Sequence, residues 1–156
     1  MARARRDEAG ERIPTTALVA TGPFGARLPA ARVAAAIARG LRAGGAPAAD
    51  LCAIVPGEAP GGDVRGLLDA LDFDARMRRS RAVVLGEWRL AEGTLEGSVA
   101  FEIASRARQA GVPTYAVTAE NGLDAFDARI LDLQAILLAD STRTLAAAGR
   151  RLAGLI

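Results

Sequence analysis

The sequence predicts a three-layer α/β/α sandwich, in which helices cover both faces of a parallel five-stranded sheet. Short apolar runs of strand length alternate five times with helix-length segments along the chain. The strand runs are apolar on both faces, as is typical of parallel strands that are buried from two sides. Five such units indicate a doubly wound, flavodoxin-like sheet with the expected strand order 2-1-3-4-5.

The first half of the chain supplies two strands and two helices. Residues 15–21 form a β-prone run, and a turn rich in Gly and Pro follows it. A helix is expected from Pro29 to Arg42, because its apolar residues recur every fourth position and face one side. The second strand is predicted at Leu51–Val55, and Asp63 is expected to cap the helix after it.

The second half repeats this alternation three times. The predicted strands are Ala82–Leu85, Pro113–Thr118 and Gln134–Leu138. Three helices are predicted in this half. The first begins after Ser98, the second spans about 124–130, and the third begins after Ser141, which is expected to cap it.

Length and composition favour one domain. The chain has 156 residues, of which 51% are hydrophobic and 24% charged, so residues 15–156 are expected to form a single α/β domain. Residues 1–14 carry four arginines without an apolar period and are expected to be a flexible tail. Cys52 stands alone in an apolar run and is interpreted as a core residue. No membrane span or signal peptide is recognised, which favours a cytoplasmic protein.

The basic residues restrict the possible chemistry. All 20 are arginine, and the chain contains no histidine. Imidazole bases, Schiff-base lysines and phosphate-loop lysines are therefore excluded. A general base must be Asp or Glu, and an electrophilic clamp must be Arg, a backbone N–H or a metal. Acidic residues dilute the arginines of the tail, so neither a nucleic acid nor a membrane is expected as a partner.

The strongest candidate site lies after the third strand. Glu87 and Arg89 directly follow this buried run, and ligands bind at the carboxyl ends of the strands in parallel α/β sheets. The strand order also brings the turn of residues 21–27 beside them, which adds Thr21 and Arg27 as candidates. The alternative is that Arg89 only pairs with Glu87 or Glu92 on the surface, and this alternative stays open.

Several ligands of this fold do not suit the residues. A receiver domain would need a phosphorylatable Asp after the third strand and a later lysine. FMN is not expected, because the first turn offers only Thr21 as a hydroxyl donor, although Trp88 and Tyr115 could stack on a ring. A Walker loop would need a lysine. The Gly-rich run 57–63 is a weak phosphate-binding pattern, since such residues usually form a simple turn.

Three segments in order resemble the glycerate kinase family of the type that phosphorylates D-glycerate with ATP. The first is VATGPFGARLPAARVAAAIARGL, similar to IAPDSFKGSLSAxEVAxAIAxGL. The second runs from Val55 to Asp63 and is similar to PxADGGEGT. The third is GEWRLAEGTLEGS with its helix and a later GVP, similar to GEGRLDxQTLxGK and GVPVIA. The chain passes almost directly from the second segment to the third, so it resembles a shortened form that lacks the family's inserted second domain.

The resemblance implies kinase chemistry with Mg-ATP, but four charged residues of the family motifs are replaced in this chain. Gly22, Gly25, Ala91 and Ser98 stand where the family has Asp, Lys, Asp and Lys. Phosphoryl transfer depends on cations and metal ligands that neutralise charge, so these losses argue against activity. The residues that persist as candidates for binding substrate or phosphate are Glu58, Asp63, Glu87, Arg89, Thr94 and Gly97.

Two functional hypotheses follow. In the first, the chain is a glycerate kinase-like domain that is inactive alone and serves as a binding or assembly module. In the second, it is an active small kinase completed by a partner chain or by a homodimer across the cleft. Trp88, which replaces a family glycine, is interpreted as covering apolar surface left by the missing domain, or as part of a subunit interface. The expected ligand is a small anionic metabolite or a nucleotide.

Overall fold

The computed structural model describes residues 16–55, 63–91 and 98–156, in which each of five strands is followed by one helix or, after the second strand, by two. The tail and the residues Glu58, Thr94 and Gly97 lie outside these ranges. The strands are β1 (Ala17–Thr21), β2 (Asp50–Ala53), β3 (Ala82–Ala91), β4 (Thr114–Gly122) and β5 (Leu133–Leu138). The helices are α1 (Ala30–Ala43), α2 (Val64–Ala70), α3 (Phe73–Arg78), α4 (Val99–Ala110), α5 (Ala125–Ile130) and α6 (Thr142–Ala153).

The sheet has the predicted topology. Its order is β2-β1-β3-β4-β5, and each neighbouring pair is parallel. Successive strands are added in opposite directions from the junction of β1 and β3, where Val19 pairs with Val84 and Thr21 pairs with Gly86. This is the switch point at which doubly wound folds bind ligands.

Strands β3 and β4 are longer than the sequence predicted. The prediction ended them at Leu85 and Thr118, whereas the structure continues them to Ala91 and Gly122. β1 stops opposite Gly86 and β5 stops opposite Thr118, so the added residues of β3 and β4 pair only with each other. A two-stranded ribbon meets solvent along both edges, which explains why polar residues occupy it.

The core consists of two apolar layers on opposite sides of the sheet. Leu18 and Leu85 belong to the layer under α2, α3 and α4, whereas Val19 and Val84 belong to the layer under α1 and α6. This division follows from the alternation of side chains along a strand. Each strand needs apolar residues at successive positions, so the continuous apolar runs in the sequence correctly indicated two covered faces.

Helices α1 and α6 approach each other at glycines. A Cβ atom on Gly40 would overlap the carbonyl of Ala146, and one on Gly149 would overlap the carbonyl of Ile37. The two backbones are therefore in direct contact, which no larger residue at these positions would allow. Both helices follow parallel strands, so they run in the same direction across the sheet.

The helix starts agree with the sequence, whereas one helix was missed. Asp63, Ser98 and Ser141 each cap a helix with a side-chain oxygen. The caps at Asp63 and Ser141 were predicted, and a helix was expected after Ser98. The helix after Asp63 ends at Ala70, and Asp72 adopts a left-handed conformation with φ of 55° before α3 begins. The sequence did not predict α3, because its apolar positions continue those of α2 and no glycine or proline marks the break.

Candidate functional site

The candidate site is formed where the turn after β1 meets the extended end of β3. The backbone N–H of Gly22 donates to the carbonyl of Gly86 at 2.9 Å, which joins the two segments. A Cβ atom on Gly86 would lie only 2.5 Å from the Cγ2 atom of Thr21. Gly86 is therefore required for this close approach, and its place in the motif has a packing reason.

A cavity of about 490 Å³ opens beside this junction. It lies on the α1 and α6 side of the sheet, at the carboxyl ends of β1 and β5. It is lined by Phe24, Gly25, Ala26, Arg27, Leu28, Trp88, Asp140, Ser141 and Thr142. Its volume is in the range of pockets that hold metabolites and cofactors, and its place is where this fold class binds them.

Aromatic rings form one wall of the cavity. The rings of Phe24 and Trp88 meet edge to face, with centroids 5.8 Å apart and planes at 79°. Phe24 is buried, and its N–H donates to the carbonyl of Leu28 at 2.8 Å, which closes the turn. Trp88 is 36% exposed, so it can both cover Phe24 and contact a ligand.

Arg27 supplies a cation that has no partner among the described residues. Its side chain is exposed and takes part in none of the ion pairs or hydrogen bonds found in that part of the chain. The other arginine of the predicted site differs, because Arg89 pairs with Glu120 across the ribbon at 3.5 Å. A free guanidinium at the mouth of a cavity can bind a carboxylate or phosphate with two hydrogen bonds.

The start of α6 forms the opposite wall. The side-chain oxygen of Ser141 accepts from the N–H of Thr144 at 3.2 Å, while the Thr144 hydroxyl accepts from the N–H groups of Asp140 and Ser141 at 2.9 Å. This capping box fixes the first turn, so the positive end of the helix dipole is held at the cavity. The carboxylate of Asp140 also lines it and accepts from the Thr144 hydroxyl at 3.3 Å.

Glu87 lies on the other face of β3. It adjoins Trp88 in the strand, so their side chains point to opposite sides of the sheet. Its carboxylate is close to Gly22, where an added Cβ atom would be 3.8 Å from Oε2. Burial raises the pKa of Glu87 from 4.5 to about 7, because no described cation compensates its lost hydration. Such a carboxyl can gain or lose a proton at neutral pH.

The structure therefore divides the predicted site residues. Thr21 is buried and donates its hydroxyl to the Ala30 carbonyl at 3.0 Å, so this group serves the start of α1. Asp63 accepts from the N–H of Arg65 at 2.8 Å. Arg89 pairs with Glu120 rather than with Glu87. Only Arg27 and Glu87 present a charge without a described partner, and they lie on opposite sides of the sheet.

Sequence reasoning did not assign the cavity walls to the site. Phe24 was included only as part of the turn, Ser141 was considered only as a helix cap, and Asp140 and Thr142 were not considered. The signal was present, because the strand order places the end of β5 on the same sheet edge as the ends of β1 and β3. Tyr115 does not join Trp88 as a stacking residue, since its hydroxyl donates to the Leu155 carbonyl at 3.1 Å at the far end of α6.

The described residues do not fit Mg-ATP as a complete kinase site. Within residues 16–55, 63–91 and 98–156, no three acidic or cysteine side chains come together as possible metal ligands. Gly25 has φ of 65°, so a lysine at this position would be strained. Ser98 uses its hydroxyl to accept from the N–H of Phe101 at 3.1 Å. In the described part of the chain, neither a lysine clamp nor a three-ligand metal site is therefore present.

Comparison with known proteins identifies the family. The sequence model of the glycerate kinase family matches residues 43–155, so the chain belongs to the glycerate kinase family. This match includes the second and third resembling segments and begins after the end of the first. Residues 63–91 are continuous in the structure, which leaves no inserted domain between Asp63 and β3. No curated protein matches the sequence.

One similar solved structure is a putative pilus assembly-related protein from Burkholderia pseudomallei. It is 15% identical, and the alignment covers 90% of this chain and 91% of that chain with a TM-score of 0.49. No helix in the described part of the present chain is long and apolar enough to cross a membrane.

Proposed function

We propose that this chain is a glycerate kinase-family domain that binds a small anionic metabolite or a nucleotide and has no kinase activity on its own. The observation that carries the proposal is Arg27, which has no partner among the described residues and lines the cavity together with Phe24 and Trp88. A cation with no described partner beside an apolar wall favours a ligand with an anionic group and a flat or apolar part.

The polar groups of the cavity favour particular ligand chemistry. Arg27 suits a carboxylate or phosphate, and the start of α6 adds a positive electrostatic potential. Asp140 suits a hydroxyl or amino group, since a carboxylate accepts hydrogen bonds. A hydroxy acid such as D-glycerate and a nucleotide both combine an anionic group with hydroxyl groups, and the nucleotide also has a flat ring that suits the aromatic wall. These are the ligand classes that the family implies.

The proposed lack of activity rests on the replaced residues. Gly22 and Gly25 present no charge to a transferred phosphoryl group, and Ser98 is engaged as a helix cap. Electrostatic stabilisation of the developing charge is usually the largest contribution to phosphoryl transfer. A domain that keeps the pocket and lacks these groups is suited to act as a binding or assembly module.

A second candidate is an active small kinase completed by a partner chain or by a homodimer. The observation that favours it is Glu87, whose pKa is raised by burial to about 7. A general base works best when its pKa is near the operating pH. Glu87 would then accept the proton of a substrate hydroxyl, and the partner would supply the cations that this chain lacks.

Thermal unfolding with added ligands tests the binding proposal. D-glycerate, ADP and Mg-ATP are each added to the protein, to Arg27→Gln and to Arg78→Gln. Arg78 is the matched control, because it is exposed on α3, away from the cavity. A ligand at 100 times its dissociation constant stabilises by about 2.7 kcal/mol and raises the midpoint by roughly 5–10 °C. We expect the shift in the protein and in Arg78→Gln, and its loss in Arg27→Gln. Equal shifts in all three proteins would place the ligand elsewhere.

Measurement of ADP release separates the two candidates. The isolated chain, incubated with Mg-ATP and D-glycerate, is expected to release no ADP above the rate without D-glycerate. Glycerate-dependent release would disprove the inactive module. If that release disappeared in Glu87→Gln, with the thermal midpoint not lowered, the second candidate would be favoured.

A further inference from the structure

The charged residues are distributed unequally between the two faces of the sandwich. Helices α1 and α6 contain six arginines and no acidic residue, although the whole chain has 18 acidic residues for its 20 basic ones. The use of arginine in place of lysine extends over the whole chain, but it does not account for the lack of Asp and Glu on these two helices. The arginines are Arg32, Arg39, Arg42, Arg143, Arg150 and Arg151, and we call this surface the basic face.

The arginines of the basic face are exposed and unpaired. All six are solvent-exposed, and every ion pair among the described residues involves other arginines. On the opposite side of the sheet, by contrast, Arg65 pairs with Glu102 at 2.7 Å and Arg106 pairs with Asp69 at 2.8 Å. The charge of one face is thus largely neutralised within the protein, and that of the other is not.

The helix geometry arranges these charges in two rows. Arg32 and Arg39 are seven positions apart on α1, and Arg143 and Arg150 have the same spacing on α6. Seven residues are close to two helical turns, so each pair lies on one stripe about 10 Å long. The glycine contacts bring the helix axes close together, which places the rows side by side. The exposed residues within each row are alanines, Ala35 and Ala147, so no large side chain stands between the arginines of a row.

We propose that the basic face binds the phosphate backbone of double-stranded nucleic acid without sequence preference. The charge complementarity is direct, because guanidinium groups bind phosphate and the released counterions drive binding. The sequence argued against such a partner from the diluted charge of the tail. The fold instead gathers six other arginines, 32–42 and 143–151, on one surface. This proposal does not depend on the cavity or on its ligand.

The residues that are missing from the basic face select this partner over others. Single strands are bound by stacking on aromatic side chains, and α1 and α6 carry none. Membrane-surface helices insert large apolar residues, and protein interfaces have apolar or aromatic anchors. The exposed large hydrophobic residues of the described chain all lie outside α1 and α6. A flat surface of arginine and alanine suits a regular row of phosphates.

Binding of a fluorescent 20-base-pair DNA duplex of random sequence, followed by anisotropy between 20 and 200 mM salt, tests the proposal. We expect a dissociation constant on the order of 10⁻⁶–10⁻⁴ M near physiological salt and tighter binding at low salt. The test variant is Arg39→Gln/Arg150→Gln, and Arg32→Gln/Arg143→Gln provides an independent second variant. The matched control is Arg78→Gln/Arg79→Gln, which removes the same charge from exposed positions outside the basic face.

The expected result is that each basic-face variant binds about tenfold or more weakly at low salt, with the slope of log K against log salt reduced by about 2. The control should bind as the unmodified protein does. Equal weakening in the control would show an effect of net charge alone and would overturn the proposal. Absence of binding at 20 mM salt, tighter binding to single strands, or tighter binding to vesicles containing phosphatidylserine would also overturn it.

Discussion

The indole of Trp88 covers the ring of Phe24 edge to face, at a centroid distance of 5.8 Å. Trp88 stands where the resembling family motif has glycine, so the large side chain adds a wall that the motif does not provide. The contact links the turn after β1 to the extended end of β3, on the α1 and α6 side of the sheet. In this structure the apolar surface that Trp88 contacts is the ring of Phe24.

Replacement of Trp88 should weaken both stability and ligand binding. An edge-to-face aromatic pair contributes about 0.5–1.5 kcal/mol beyond area burial, and Trp88→Ala also uncovers Phe24. We expect the free energy of unfolding to fall by about 1–3 kcal/mol, with loss of the thermal shift caused by the cavity ligand. Urea unfolding followed by circular dichroism measures the first effect. Trp88→Phe keeps a ring and should retain most of both, whereas unchanged values in Trp88→Ala would refute the role of the contact.

Substitution of Gly149 tests the direct contact of α1 and α6. Alanine normally stabilises a helix interior by about 1 kcal/mol relative to glycine, but here its Cβ atom would overlap the carbonyl of Ile37. Overpacking of this kind costs about 1–3 kcal/mol or more, so we expect Gly149→Ala to lower the midpoint of thermal unfolding. Gly154→Ala is the control, because its added Cβ atom would lie 3.6 Å from the carbonyl oxygen of Arg151, which is an ordinary van der Waals contact. A stabilised Gly149→Ala variant would mean that the helices are further apart.

Much of the fold could be predicted because its signals are local. Continuous apolar runs gave the five strands, and Asp63, Ser98 and Ser141 marked helix starts before any tertiary contact was known. The lengths of β3 and β4 could not be predicted in this way. Glu87, Trp88, Arg89 and Leu90 alternate polar and apolar over only four residues, and they form a strand because the matching residues of β4 pair with them.

The site was harder to predict, because its parts come from distant points in the chain. Arg27 and Glu87 were recognised by position at strand ends, but the sequence could not show that the sheet separates them. Nor could it show that Arg89 is engaged by Glu120, a residue 31 positions later, since that pairing depends on the unpredicted ribbon. The α6 wall was missed because a helix cap looks the same in sequence whether or not a cavity adjoins it.

Glu87 makes a prediction about pH whose sign follows from its raised pKa. The carboxyl has a pKa of about 7 in the folded protein and 4.5 as its ordinary value, so the folded state binds the proton more tightly. The resulting stabilisation is complete below pH 4.5 and is lost as the pH rises through 7. A shift of this size corresponds to about 3 kcal/mol.

Glu87→Gln should remove this contribution, because the amide is neutral at every pH. We expect the unmodified protein to lose about 3 kcal/mol more stability than the variant between pH 4.5 and 8, measured by urea unfolding at each pH. Other groups that titrate in this range contribute equally to the stability of the protein and of the variant, so their contributions cancel in the comparison. Glu120→Gln removes an exposed carboxylate of the same ribbon and should leave the loss in place. Parallel curves for the protein and Glu87→Gln would show that burial does not raise the pKa of Glu87. The argument that Glu87 accepts a proton at neutral pH would then fail.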